Sequence, residues 1–100
     1  MEITTTQSGS TATIALDGKL SVATSPDLDA AITGLPDSVT SFVIDLEKLD
    51  YISSAGLRVL VSTEKLASRR GGTMRLLHPN DEVNEVFEMT GLSEVFTIEA

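Results

Sequence analysis

Alternation of apolar and polar residues in the first fifth of the chain indicates β-strand. Residues 12–16 follow a two-residue period, and the turn-forming segment at residues 7–10 separates them from a shorter strand-like run at residues 3–6. This pattern predicts a hairpin of two strands with one buried face. Residues 17–18, Asp-Gly, then predict a turn.

A helix is predicted after this turn. Residues 24–27 supply a cap residue, a proline suited to the first helical turn and an early acidic residue. Apolar residues then recur at the i, i+3, i+4 and i+7 positions of one helical face, at Leu28, Ala31, Ile32 and Leu35. Gly34 and Pro36 predict the end of this helix.

The chain continues with a second strand-helix unit. Residues 42–46 form a nearly continuous apolar run, which is typical of a central strand covered on both faces, and residues 47–51 are predicted as a loop. The helix that follows ends at two arginines and two glycines, residues 69–72. Its apolar stripe consists of Leu57, Leu60, Val61 and Ala67.

A third unit completes the chain. Residues 73–77 predict another buried strand, and residues 78–80 a turn with a helix cap. The helix that follows has an apolar stripe and ends at Gly91. Its stripe consists of Val83, Val86 and Phe87. Residues 95–98 are predicted as a final short strand or an extended tail.

The order of these elements predicts an α/β fold. Strand-helix-strand units of this length close as right-handed crossovers between parallel strands. We therefore expect a mixed sheet of four to five strands with an antiparallel N-terminal edge and about three helices. No repeat or linker divides the pattern, so we expect a single domain over residues 1–100.

Composition narrows the class of protein. The chain is 41% hydrophobic, enough for one core, and has no cysteine for a disulfide framework or a thiolate metal site. Its net charge of −8 would repel a phosphate backbone, so nucleic acid is not an expected direct partner. No apolar run has the roughly 18–20 residues of a membrane helix, and the N-terminus lacks the features of a secretory signal. We expect a soluble, cytoplasmic protein that does not bind membranes.

Residues that could carry catalysis are sparse. The only histidine is His78, and no Gly-x-Ser-x-Gly elbow or phosphate-binding glycine loop occurs. One histidine without cysteines also disfavours zinc. We therefore expect no enzymatic activity, no metal and no cofactor. The methionines and phenylalanines away from the N-terminus are predicted to be core residues, namely Met74, Met89, Phe42, Phe87 and Phe96.

The start of the second helix is the strongest candidate for a functional site. If Ser53 is the N-cap, Ile52 and Leu57 stand at N′ and N4, the positions of a hydrophobic staple. Ser53 would then accept a hydrogen bond from the first turn, leaving the Ser54 hydroxyl free. Glycine costs roughly 0.5–1 kcal/mol relative to alanine inside a helix. Gly56 therefore indicates either close approach of another backbone or a tight contact between helix and sheet.

Three segments of the chain resemble the STAS domain of bacterial anti-sigma factor antagonists. The most specific segment, residues 45–60, reads DLEKLDYISSAGLRVL. Residues 18–28 resemble the family's approach to its first helix, and residues 83–92 resemble its closing helix. The resemblance covers essentially the whole chain, in order.

This resemblance implies regulation by partner switching. In the family, the unphosphorylated antagonist binds an anti-sigma factor that is also a serine kinase, phosphorylation ends the binding, and a serine phosphatase resets the cycle. The phosphorylated serine lies two residues before the glycine of the Ser-x-Gly-Leu segment, a position that Ser54 occupies here. The resemblance also implies a set of partner-binding residues, namely Ser21, Thr24, Ser53, Ser54, Ala55, Gly56, Leu57 and Arg58.

Two positions differ from many members of the family. Ser53 and Ser21 each stand where many members have an acidic residue, so Ser53 stays open as an alternative phosphorylation site. Asp45 and Asp50 are expected near Ser54, because functional loops gather at the carboxyl ends of parallel strands. For Asp45, a hydrogen bond to the loop and a contact with the partner both stay open. The alternative function is a non-switching STAS assembly module of a signalling or transport complex.

Overall fold

A computed structural model describes all of residues 1–100. Five strands form one sheet in the order β1-β2-β3-β4-β5, and three helices connect its parallel strands. The strands are β1 (Glu2–Ser8), β2 (Thr11–Leu20), β3 (Ser41–Ile52), β4 (Met74–Leu77) and β5 (Thr97–Glu99). The helices are α1 (Ser25–Thr33), α2 (Ser54–Arg69) and α3 (Asp81–Met89), and a 3-10 turn at Leu92–Glu94 leads into β5.

The sheet is mixed, as the sequence predicts. β1 pairs with β2 in antiparallel orientation, and every later pairing is parallel. Residues at the start of β2 alternate between buried and partly exposed, which confirms the two-residue period of residues 12–16. The predicted α/β fold with an antiparallel edge is therefore confirmed, and the last strand is present as β5.

All three helices lie on one face of the sheet. Each helix joins neighbouring parallel strands in sequence order, and right-handed crossovers in that order place every helix on the same side. The core lies between this face and the helices, and Ile14, Ile44 and Leu76 are fully buried there. The opposite face has no helix and carries more exposed residues, such as Thr13 and Arg75.

β2 and β3 are longer than the sequence predicts. The turn predicted at residues 17–18 and the loop predicted at residues 47–51 are both wrong, because these segments continue as paired parallel strands up to Leu20 and Ile52. The register between β2 and β3 shifts on either side of residues 17–18, where Gly18 has a φ of +118°. The turn-forming residues therefore accommodate an irregularity within a strand, and the strand does not end there.

The predicted helical stripes pack against the sheet. In α1, Leu28 and Ile32 are buried, and in α2 the buried apolar residues include Leu60 and Ala67, whereas Val61 is only partly buried. Each helix therefore presents one apolar face to the core. No helix of the chain is both long enough and apolar enough to span a bilayer.

Asn80 is the N-cap of α3 and also attaches this helix to the sheet. Its side-chain oxygen accepts a hydrogen bond from the Val83 backbone N–H at 2.8 Å, and its side-chain nitrogen donates to the Leu49 carbonyl oxygen at 3.1 Å. Leu49 lies within β3. The predicted cap is thus confirmed, and the same side chain fixes where α3 begins relative to β3.

Four of the five methionine and phenylalanine residues predicted to be core residues are buried. Phe87 and Phe96 pack edge to face, with ring centroids 5.7 Å apart. Phe42 and Met74 are also buried, but Met89 is 75% exposed, so the prediction is wrong for that residue. Met89 is two residues after Phe87, which places it about 200° around the helix from that buried ring.

Candidate partner-binding site

The connections that follow β2 and β3 emerge side by side. Leu20 and Ile52 are register partners at the ends of these strands, and the Ser53 backbone N–H donates to the Leu20 carbonyl oxygen at 2.8 Å. The connection that begins at Ser21 therefore leaves the sheet next to the start of α2. This arrangement brings together the two segments to which the resemblance assigns partner binding.

Ser53 is the N-cap of α2, as the sequence predicts. Its backbone is extended, with φ −94° and ψ 169°, and its Oγ accepts a hydrogen bond from the Gly56 backbone N–H at 3.1 Å. Ile52 and Leu57 on either side are 4% and 8% exposed, as expected for the two residues of a hydrophobic staple. Ser53 itself is only 6% exposed, so its hydroxyl serves the first turn of the helix and has little contact with solvent.

Ser54 occupies a different environment one residue later. It is exposed at the first position of α2, and its hydroxyl makes no hydrogen bond within the protein. A negative charge added here would lie beside the positive end of the helix dipole, where it is electrostatically favoured. Ser54 is thus both accessible and able to carry an added anion without loss of the cap.

Gly56 lies at a tight contact between α2 and the sheet. A methyl group at this position would approach Cγ of Leu20 to 2.6 Å and Cγ1 of Ile52 to 3.2 Å. Of the two reasons considered for a glycine here, the tight contact between helix and sheet is the one observed. The close neighbours are side chains of β2 and β3, and no backbone outside the helix lies that close.

Ser21 and Thr24 hold the connection between β2 and α1 through a local hydrogen-bond network. Thr24 Oγ1 donates to the Lys19 carbonyl oxygen at 2.7 Å and accepts from the Ser21 backbone N–H at 2.8 Å. In return, the Thr24 backbone N–H donates to Ser21 Oγ at 3.3 Å. Ser21 therefore supplies a hydrogen-bond acceptor to this connection.

The residues that the resemblance assigns to partner binding differ in accessibility. The two exposed residues are Ser54 and Arg58. The three partly exposed residues are Ser21, Thr24 and Ala55, and the three buried residues are Ser53, Gly56 and Leu57. The buried residues present little surface to a partner, and they position the site. The exposed and partly exposed residues form the available surface.

Two large exposed apolar side chains are adjacent in sequence to residues of this site, and the sequence pattern does not predict their exposure. Val22, directly after Ser21, is 70% exposed, and Tyr51, directly before Ile52, is 49% exposed. Exposed apolar and aromatic side chains are typical of binding surfaces. The only sequence signal for Val22 was a large apolar residue in a connection of otherwise polar and small residues.

The two aspartates expected near Ser54 have different positions. Asp45 lies within β3, seven residues before Ile52, so roughly 23 Å of strand separates it from the end of that strand. The expected nearness of Asp45 to Ser54 is therefore wrong. Of the two roles left open for Asp45, the hydrogen bond to the segment predicted as a loop is present, because its Oδ1 accepts from the Glu47 backbone N–H at 3.0 Å. Asp50 lies close to the end of β3 and, with Tyr51, lines a shallow cleft of about 90 Å³ against α3.

Two features of the fold define a class of small α/β domain. One is a mixed five-stranded sheet with helices on one face, and the other is a helix that starts beside the end of β2. The model of the STAS domain family matches residues 2–100, and the chain belongs to this family.

Relatives with similar sequences are named as anti-sigma factor antagonists. BtrV of Bordetella bronchiseptica, named as an anti-sigma factor antagonist, is 36% identical over 84 residues, which cover 83% of this chain and 72% of BtrV. The anti-sigma-B factor antagonist of Staphylococcus aureus is 28% identical over 86 residues, which cover 85% of this chain and 80% of that protein.

The fold is also similar to that of SpoIIAA, an anti-sigma factor antagonist of Bacillus. The unphosphorylated form has a TM-score of 0.85 at 22% identity, with 99% of this chain and 88% of SpoIIAA covered. The phosphorylated form has a TM-score of 0.79 at the same identity, with 99% and 91% covered.

Proposed function

We propose that this chain is an anti-sigma factor antagonist that binds an anti-sigma factor serine kinase in the bacterial cytoplasm and is switched off by phosphorylation of Ser54. The observation that carries the proposal is the contrast at the start of α2, where Ser54 is exposed with a free hydroxyl and Ser53 is buried as the cap. The names of the relatives from Bordetella and Staphylococcus support the antagonist role. SpoIIAA, which has a similar fold, has been described in a phosphorylated form.

In the unphosphorylated state, the docking surface combines polar and apolar groups. Ser54 and Arg58 are exposed, and Val22 and Tyr51 on the two adjoining segments supply apolar area that a partner can bury. The sheet and the caps hold these groups in place, so little conformational entropy is lost on binding. This surface docks the kinase and thereby releases the sigma factor.

Phosphorylation changes this surface without unfolding the domain. The phosphate adds a charge of about −1.5 to −2 at the first residue of α2, where the helix dipole favours it. The charge and the bulk of the phosphate lie on the surface where the partner docks, so binding is lost. The chain performs no catalytic step in this cycle, since the kinase supplies the phosphate and a serine phosphatase removes it.

Incubation with candidate anti-sigma kinases and ATP tests the modification site. The intact mass should increase by a single phosphate for the wild type and for Ser53→Ala, and should not change for Ser54→Ala. Ser53→Ala is the matched control because it removes the neighbouring hydroxyl. Phosphate uptake by Ser54→Ala would contradict the assignment to Ser54.

Titration of the kinase with two variants tests the switch. Ser54→Ala should bind like the unphosphorylated wild type, and Ser54→Asp should bind at least about tenfold more weakly, because it places a negative charge on the docking surface. Equal affinities of the two variants would overturn the switch. Binding without phosphate uptake from any kinase would favour a non-switching assembly module.

A further inference from the structure

Arg58 is an exposed cation one helical turn after Ser54, and it has no partner within the protein. Its guanidinium makes no hydrogen bond, and the two ion pairs of the protein belong to Arg70 and Arg75. Cations are scarce in this chain, with 7 lysines and arginines against 15 aspartates and glutamates. The proposed docking surface nevertheless contains one unpaired cation, Arg58.

The geometry of α2 places Arg58 within reach of a group attached to Ser54. The two residues are four apart in a helix that is continuous from Ser54 to Arg69, so their Cβ atoms lie about 5–6 Å apart on the same face. Long side chains on a helix lean towards its N-terminus, which directs the Arg58 side chain back towards Ser54. A guanidinium carries five N–H donors in a planar fork that matches the oxygens of a phosphate.

We propose that Arg58 is an intramolecular phosphate-binding residue that engages the phosphate of phosphorylated Ser54. This inference rests on the proposed function and adds a second part to the switch. In the unmodified chain the Arg58 guanidinium is free to contact a partner, and in the phosphorylated chain it donates charge-assisted hydrogen bonds to the phosphate. Phosphorylation thus withdraws a cation from the docking surface in addition to placing an anion there.

Asp29 is the acidic group that competes for Arg58. It lies on α1, and the two residues line the same open hollow of about 320 Å³ between α1 and α2. No ion pair joins them in the unmodified protein. A phosphate offers up to two charges and three acceptor oxygens on the same helix, so it binds Arg58 in preference to this carboxylate.

The test installs phosphoserine at residue 54 during translation, so that it does not depend on any kinase. A phosphorus NMR titration then measures the second pKa of the phosphate, which is ordinarily about 6. A nearby cation favours the dianion and lowers this pKa. In the phosphorylated protein, Arg58→Gln should therefore raise the phosphate pKa by about 0.2–0.4 pH units relative to the unsubstituted chain.

Lys65→Gln is the matched control, because it removes the same charge from the same helix. Lys65 is 11 residues after Ser54, on nearly the same helical face but about 16 Å further along the axis. The phosphate pKa should match that of the unsubstituted chain in this variant and should be lowered again in Arg58→Lys. A phosphate pKa that is equal in Arg58→Gln and Lys65→Gln would overturn the proposal.

The two proposals fail separately. The titration contains no kinase, so a low phosphate pKa that depends on Arg58 stands even if no anti-sigma factor binds the chain. Conversely, a phosphate pKa that is insensitive to Arg58 removes the intramolecular contact and leaves the antagonist role to be decided by the kinase titration.

Discussion

The Ser53 hydroxyl accepts a backbone hydrogen bond in a buried position, whereas the Ser54 hydroxyl one residue later has no partner within the protein. Ser53→Ala should therefore lower the free energy of unfolding by about 1 kcal/mol, because the Gly56 N–H loses its acceptor. Ser54→Ala should change it by less than about 0.5 kcal/mol. Urea unfolding of both variants measures these values, and a larger loss for Ser54→Ala would contradict the roles assigned to the two serines.

Gly56 illustrates the opposition between helix propensity and packing at a single residue. Alanine favours a helix by about 1 kcal/mol over glycine, but here its methyl group would stand 2.6 Å from Cγ of the buried Leu20. We expect Gly56→Ala to lower the free energy of unfolding by about 1–2 kcal/mol in urea titrations.

Two further variants isolate the steric cause of this effect. Ser62→Ala, at an exposed position of the same helix, gains propensity without a clash and should be neutral or slightly stabilising. In the double variant with Leu20→Ala, the loss should be smaller than the sum of the two single losses. Strict additivity would show that the contact with Leu20 is not the cause.

At the scale of elements, one side chain determines how α3 meets the sheet. Asn80 caps α3 through its oxygen and reaches the Leu49 carbonyl of β3 through its nitrogen. Asn80→Asp keeps the capping oxygen and loses the donor, so it should cost about 1 kcal/mol, and Asn80→Ala should cost about 2 kcal/mol because both bonds are lost. The two variants differ only in the capping hydrogen bond to Val83. Equal unfolding free energies of the two variants in urea would therefore show that this bond contributes nothing.

The elements also show which structural signals are readable in one sequence. The Ser53 cap and the Ile52–Leu57 staple were predictable because capping depends on residues within a few positions of each other. The continuation of β2 and β3 through residues 17–18 and 47–51 was not, because it depends on pairing between segments about 30 residues apart. The exposure of Val22 and Tyr51 is likewise set by how other elements pack, which no local pattern records.

At the scale of the whole molecule, repulsion among like charges is the main electrostatic feature. The net charge is −8, and the only two ion pairs, Arg70 with Asp37 and Arg75 with Glu99, involve partly or fully exposed side chains that contribute little. Screening should therefore stabilise the fold, and the urea midpoint should rise between about 0.02 M and 0.5 M sodium chloride. A midpoint that falls with salt would show that attractive pairs outweigh the repulsion.

The helix-free face of the sheet gives the protein a side on which it can be labelled. Thr6 is exposed on the edge strand β1 and is the register partner of Thr13, which lies seven residues, or roughly 23 Å, before Leu20. Because the chain has no cysteine, Thr6→Cys would introduce a unique thiol for a fluorescent dye. A reporter there lies at the far end of the sheet from Ser54, so its anisotropy could follow kinase docking and release in real time without touching the docking surface.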